Sequence, residues 1–182
     1  MKQLVLIAVL SLLASLSVGA SELTDIKTLA EQGNAPAQYA LGMRYSTGKG
    51  LPENYVEAVK WYRKAAEQGY AEAQNNLGLM YRHGKGVRKS RAEAVDWYRK
   101  AAVQGLATAQ YNLGTAYYNG VGVRQSYAES YVWFSLAVSS GYDRAIEFRD
   151  LDARKLSKKT LSKAQKKAVT LYEAIQRRKN NE

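Results

Sequence analysis

Cysteine is absent from the 182 residues, histidine occurs once, and proline and phenylalanine occur twice each. Without cysteine there is no disulfide and no thiolate metal centre, so an apolar core must hold the fold together. One histidine, His83, excludes paired-imidazole metal sites. No acidic cluster accompanies it in sequence, and no Gly-x-Ser-x-Gly elbow gives it a nucleophile to serve. With so little proline, long helices meet few obligatory breaks. Long apolar runs are also scarce: there is one, from Leu4 to Leu16. It is shorter than the roughly 20 residues that cross a bilayer. It follows Met1 and Lys2 and leads into Val18, Gly19 and Ala20, the layout of a secretory signal peptide. The expectation is a signal over residues 1–20 and a mature chain from Ser21 to Glu182, exported to the periplasm, with secretion as the alternative. No cysteine follows the run to carry a lipid. Acidic residues are in the minority, 16 against 27 lysines and arginines, for a net charge of +11. From Arg149 to Glu182 there are 11 basic and 4 acidic residues, a basic end able to draw the protein toward an acidic surface.

What is plentiful is glycine and tyrosine, 14 of each, and both recur at intervals of 36. Trp61, Trp97 and Trp133 share that spacing, as do Gly42, Gly78 and Gly114. The pairs Gly48/Gly50, Gly84/Gly86 and Gly120/Gly122 follow it, with Gly69, Gly105 and Gly141 closing each unit. Ala37-Gln38, Ala73-Gln74 and Ala109-Gln110 open the matching stretches. A period of this size marks stacked supersecondary units, and no unit carries the polar/apolar alternation of a strand. Each unit reads as two antiparallel helices. In the first, helix A covers roughly Ala35 to Thr47, with Ala37, Gln38, Leu41 and Tyr45 on one face. Gly48-Lys49-Gly50 breaks it, and helix B covers roughly Tyr55 to Gln68 with Ala58, Trp61, Tyr62 and Ala65 as its buried stripe. The tryptophan is expected to fill the space that alanine and glycine leave. Residues 21–34 form an amino-terminal capping helix, units follow at 35–70, 71–106 and 107–142, and 143–182 form a basic helical cap. Within that cap, helices are expected from Ala145 to Leu156 and from Lys163 to about Arg178, the second opened by a capping box at Ser162 and Gln165.

The second unit gives the fullest motif: Ala71, Gln74, Leu77, Gly78, Tyr81, Gly84, Gly86, Val87, Ala94, Trp97, Tyr98, Lys100, Ala101, Ala102 and Gly105. This pattern resembles the Sel1-like repeat family. The first unit departs in having Leu51 where valine is usual. The third departs further, with Tyr131, Phe134, Leu136, Val138 and Ser139 in a more apolar helix B, as suits a helix facing the irregular terminal pair. The resemblance implies an all-α, short right-handed α/α superhelical solenoid with helical caps, akin to the tetratricopeptide repeat and used for protein–protein contacts. It implies no enzyme and no cofactor. Family members serve as envelope proteins, adaptors, host-contact factors and immunity proteins, so the label fixes architecture better than partner.

The remaining chemical signals dissolve into the repeat. Glu57, Glu93 and Glu129 recur once per unit, which is a structural position and not a facing pair. Gly48-Lys49-Gly50 and Gly84-Lys85-Gly86 lack the strand and the Gly-Lys-Ser/Thr ending of a phosphate loop. Lysines and arginines between tyrosines suggest nucleic acid, but the tyrosines fall at packing positions and export removes that partner. Rotation by about 100° per residue leaves 36, 39, 43, 46 and 47 projecting from the first helix A, and their equivalents from the next two. Among these, Tyr39, Met43, Asn75, Leu79, Arg82, His83, Tyr111, Tyr118 and Asn119 form a mixed polar and aromatic strip expected to bind another protein on the concave face. The general expectation is an envelope adaptor. Sharper alternatives are a periplasmic immunity protein that neutralises a secreted lipase or peptidoglycan-cleaving toxin, and a host-interaction factor.

Overall fold

The computed structural model describes residues 22–181; the signal segment expected over residues 1–20 lies outside them. Helix α1 covers residues 22–31. It is followed by α2 (Ala35–Thr47), α3 (Tyr55–Glu67), α4 (Ala71–His83), α5 (Arg91–Ala102), α6 (Ala107–Asn119), α7 (Tyr127–Ser139), α8 (Ala145–Lys155) and α9 (Lys158–Lys179). No strand occurs among the described residues. Helix starts are written in the sequence: Asn34 and Asn54 accept hydrogen bonds from the first free amides of α2 and α3, and Ser90 and Ser126 do so for α5 and α7. The A helices α2, α4 and α6 stop where Gly48, Gly84 and Gly120 adopt left-handed backbone angles.

Pairs α2–α3, α4–α5 and α6–α7 pack as hairpins, and α3–α4, α5–α6 and α7–α8 join one to the next. Within each hairpin the ring lying over the helix A glycine belongs to the residue after the tryptophan. A Cβ on Gly42, Gly78 or Gly114 would fall 2.7 Å from Tyr62, 2.6 Å from Tyr98 or 2.8 Å from Phe134. These three rings are fully buried. The expected pairing of tryptophan with glycine is therefore corrected: Trp61 and Trp97 are only half-buried, each with a lysine ammonium over its face. Side chains one residue apart on a helix differ by about 100°, so one of the two rings can point into the hairpin and the other must lie beside it.

Between units, the recurring glutamine joins the helices. Gln38, Gln74 and Gln110 are buried, and their amides donate to the carbonyls of Ala30, Ala66 and Ala102 at 3.1, 3.0 and 3.2 Å. These carbonyls belong to the last turns of the preceding helices, which have no partner within their own helix. Gln68 and Gln104 in turn donate to Gln38 and Gln74. Position 140 is serine, and Gln110 Oε1 is left buried without a partner. The turns after α4 and α6 also seat on the preceding unit, Gly86 against Tyr55 and Gly122 against Arg91. A Cβ at Gly86, whose φ is +67°, would fall 2.1 Å from the Tyr55 carbonyl oxygen. Only glycine meets both conditions.

The carboxy-terminal end differs from the expected pair. Helix α8 takes the place of a fourth helix A and packs on α7, and α9 also packs chiefly on α7 instead of forming a close hairpin with α8. It runs back toward the α5–α6 turn, where Ile175 and Lys179 lie against Gly105. Helix α7 buries Phe134 and Ala137 against α8, while Val132, Trp133 and Leu136 share a second cluster with Ala164, Ala168 and Ile175 of α9. Its apolar residues on two faces require two covers. The start of α9 is also corrected. Ser157, following extended Leu156, accepts from the Thr160 amide and opens the helix at Lys158. Ser162 lies inside the helix, exposed.

Candidate protein-binding surface

The A helices bring part of the predicted strip together in a groove of about 410 Å³. Tyr39 of α2 and Tyr111 of α6 contribute its aromatic walls, with Tyr142 of the α7–α8 turn beside Tyr111 at a centroid distance of 4.9 Å. Asn75 and Leu79 of α4 line it between them, and Glu72 and Thr108 stand at the first turns of α4 and α6. Neither wall is free to swing. Tyr39 lies 5.8 and 5.2 Å from the Tyr62 and Tyr70 rings, and Tyr111 also contacts Phe134 and Phe148. Burial, then the proximity of Tyr62 and Glu72, raises the Tyr39 phenol above its ordinary value, so it remains a hydroxyl donor at neutral pH. The floor is amide: Asn112 donates to Asn75 at 2.8 Å. Asparagine side chains offer both a donor and an acceptor, as a peptide group does.

The other strip residues lie elsewhere. Met43 is exposed on α2. Arg82 and Asn119 line a separate crevice where α5 meets α6 and the end of α4, shared with Asn112. His83 is exposed; burial and then the charges of Arg82, Lys85 and Lys89 lower its pKa. Tyr118 turns toward α7 and α8, where its hydroxyl accepts from Lys155 at 2.9 Å and its ring meets Tyr127 and Phe148. Asn75 is buried, not projecting, because α6 packs its Asn112 against it. Sequence reasoning missed Asn76 and Asn112 as groove residues. Their 36-residue separation was the available signal, but the position sits at the edge between packing and exposed faces.

The recurrent glutamates have a local cause. Ser90-x-x-Glu93 and Ser126-x-x-Glu129 place a carboxylate in the first turn of the B helix, where the amide end favours negative charge. Glu57 pairs with Lys60 and Glu129 with Lys167. Among the described residues no group of three or more His, Cys, Asp or Glu is placed to hold a metal ion, and no helix is long and apolar enough to cross a membrane.

The family model for the Sel1 repeat matches three times, at residues 35–70, 71–106 and 107–142. The chain belongs to the Sel1 repeat family. It is thereby a repeat scaffold for protein–protein interaction, and members of the family are typically non-catalytic. A Sel1 repeat protein from Oxalobacter formigenes is 40% identical, over 71% of this chain and 97% of that one, with a TM-score of 0.65. A second solved structure is c5321, a protective antigen present in uropathogenic Escherichia coli strains that displays an SLR fold. It is 32% identical over 88% of this chain, which spans 43% of that protein, with a TM-score of 0.63. No curated protein matches the chain.

Proposed function

We propose that this Sel1 repeat chain is an exported adaptor of the bacterial cell envelope that holds one partner protein in the groove across α2, α4 and α6. The observation that carries the reading is the groove itself. It combines rigid tyrosine walls, an amide floor and one carboxylate, Glu72, on a face that no helix among the described residues covers, whereas α9 packs on α7 of the last unit. Rigid aromatic anchors reduce the ordering cost of binding, and amides supply hydrogen bonds to main chain or side chain. The basic side chains of α9 are mostly exposed and hydrated, so they act on approach and salt dependence more than on residence time. Export rests on the amino-terminal layout of Lys2, the apolar run and Ala20.

The test joins fractionation to capture. A carboxy-terminally tagged protein in its native host should be found in the periplasm as a soluble form beginning near Ser21, with one protein co-purifying. Thr108 is exposed at the groove, so Thr108→Arg should fill it and remove that protein without changing the melting temperature. A full-length form released only by detergent, or capture unaffected by the arginine, would contradict the reading. Contact with a host is a second reading, favoured by the description of c5321 as a protective antigen. It requires the protein in the culture medium.

A further inference from the structure

The three units allow an internal control on the buried end of each ring that lies over the helix A glycine. In unit one, the Tyr62 hydroxyl is paired with Ser46 at 2.9 Å. In unit three the ring is Phe134 and carries no hydroxyl. In unit two the ring is Tyr98, the position of Ser46 is taken by Arg82, and the buried Tyr98 hydroxyl has no acceptor for its proton: the guanidinium that approaches its oxygen can only donate. Burial pushes the phenol up to about 12, and the adjacent Arg82 guanidinium only partly offsets this. The hydroxyl is therefore a permanent donor at neutral pH. A buried donor left unmade costs more than an ordinary hydrogen bond returns.

Tyr98 of α5 lines the crevice where α5 meets α6 and the end of α4, whose other polar walls are Arg82, Arg91, Asn112, Thr115 and Asn119. Its volume is about 30 Å³, room for one water-sized group. Neither arginine makes an ion pair among the described residues. At the position where Thr115 opens the wall, the unit before has Leu79. Every donor here suits a small anion, and no acidic side chain lines the walls.

We propose that this crevice is a carboxylate subsite, which takes an acidic side chain or the C-terminal carboxylate of a polypeptide bound along the A-helix face. This rests on the reading of that face as the binding face. A carboxylate can insert one oxygen into this space at the Tyr98 hydroxyl and keep the other at the mouth against a guanidinium, with its chain outside. Asn112 is common to the crevice and the tyrosine groove. Glu72 and Arg82 are ten residues apart on α4, about 15 Å along the axis. An extended segment of about five residues spans that distance, so one bound strand would reach from the groove to the crevice.

The subsite can be tested without the natural partner. Three acetylated five-residue peptides serve as probes: one amidated with a central glutamate, its glutamine counterpart, and a neutral one with a free C-terminal carboxylate. Inorganic phosphate is the fourth probe. Nuclear magnetic resonance would follow the Arg82 Nε–H and the Thr115 amide during titration. The expected result is a saturable shift with one or both carboxylate peptides, at least tenfold tighter than with the glutamine peptide or phosphate. The peptide that saturates identifies side chain or terminus as the source. Arg82→Ser copies unit one and should abolish the Thr115 response while leaving the melting temperature equal or higher, since the serine can satisfy Tyr98. Equal response to the glutamine peptide, tighter binding of phosphate, or a lowered melting temperature in Arg82→Ser would overturn the proposal. Loss of partner capture in Thr108→Arg but not in Arg82→Ser would leave the groove standing and remove the subsite. Saturation by carboxylate with capture intact in Thr108→Arg would do the reverse.

Discussion

Trp97 and Trp133 stand one repeat apart, and a single lysine covers the first where a whole helix covers the second. In unit two the ammonium of Lys100 lies 3.9 Å from the Trp97 ring centroid, and the neighbouring outward positions are Asp96 and Arg99. In unit three those positions are Val132, Leu136 and Ser135, and Trp133 is 6% exposed beneath α9. Unit one repeats the pattern of unit two, with Lys64 over Trp61. An outer helix face with charged neighbours covers its own tryptophan through long amphipathic side chains. One with valine and leucine needs a partner helix, and this chain supplies it. The outer side is closed in both ways, and the open, mixed surface is left to the A helices.

The contrast can be broken most sharply by truncating both rings. Trp133→Ala should destabilise the domain by about 3–5 kcal/mol, the range for a buried large aromatic. Trp97→Ala should cost about half as much or less, because part of its ring is already in contact with water and lysine. Thermal melts followed by circular dichroism would read both. Equal losses would show that α9 gives Trp133 no burial beyond what unit two provides for Trp97.

A smaller effect concerns what else the cover of unit three encloses. Asp152 of α8 is fully buried, neither carboxylate oxygen has a hydrogen-bond partner, and burial raises its pKa to about 6. The nearby Ser130 hydroxyl, whose proton goes to the Gly114 carbonyl, and the charge of Lys155 offset this only in part. The folded value lies above the unfolded value of 3.8. The ionised group therefore opposes folding progressively as pH rises from about 4 to about 6, and fully above that. Below pH 4 it is protonated in both states and opposes nothing. Asp152→Asn should raise stability at pH 7.5 by roughly 1–3 kcal/mol, with the gain disappearing near pH 4. Denaturant titrations at the two pH values check it; a gain that does not change with pH would remove the carboxylate as its cause.

The repeat made most of this architecture readable. The spacing of Gly42, Gly78 and Gly114, the buried glutamines and the turn glycines each correspond to one contact made three times. The return of α9 was not readable, because periodicity tells which face of a helix is apolar and not which neighbour covers it. The apolar residues of α7 hinted at two covers without saying from where. Ser162 with Gln165 makes the fuller capping signal in sequence, but the extended backbone at Leu156 starts the helix earlier, at Ser157. In the candidate surface, Tyr39, Leu79 and Tyr111 lie in one groove on the face that helical rotation pointed toward. Tyr118 does not, because Lys155, Tyr127 and Phe148 draw it to the terminal cluster, and those contacts cross between units.

The central claim is that the partner sits in the A-helix groove and that the basic helix α9 only assists its approach. Calorimetry on the co-purified partner would compare Thr108→Arg with a variant carrying glutamine at Lys158, Lys159, Lys166 and Lys167, both with the parent's melting temperature. The account predicts an affinity loss on the order of 2 kcal/mol or more for the groove variant. For the glutamine variant it predicts a modest loss that fades as salt is raised. Full affinity in Thr108→Arg together with near-complete loss in the glutamine variant would contradict it and move the binding site to α9.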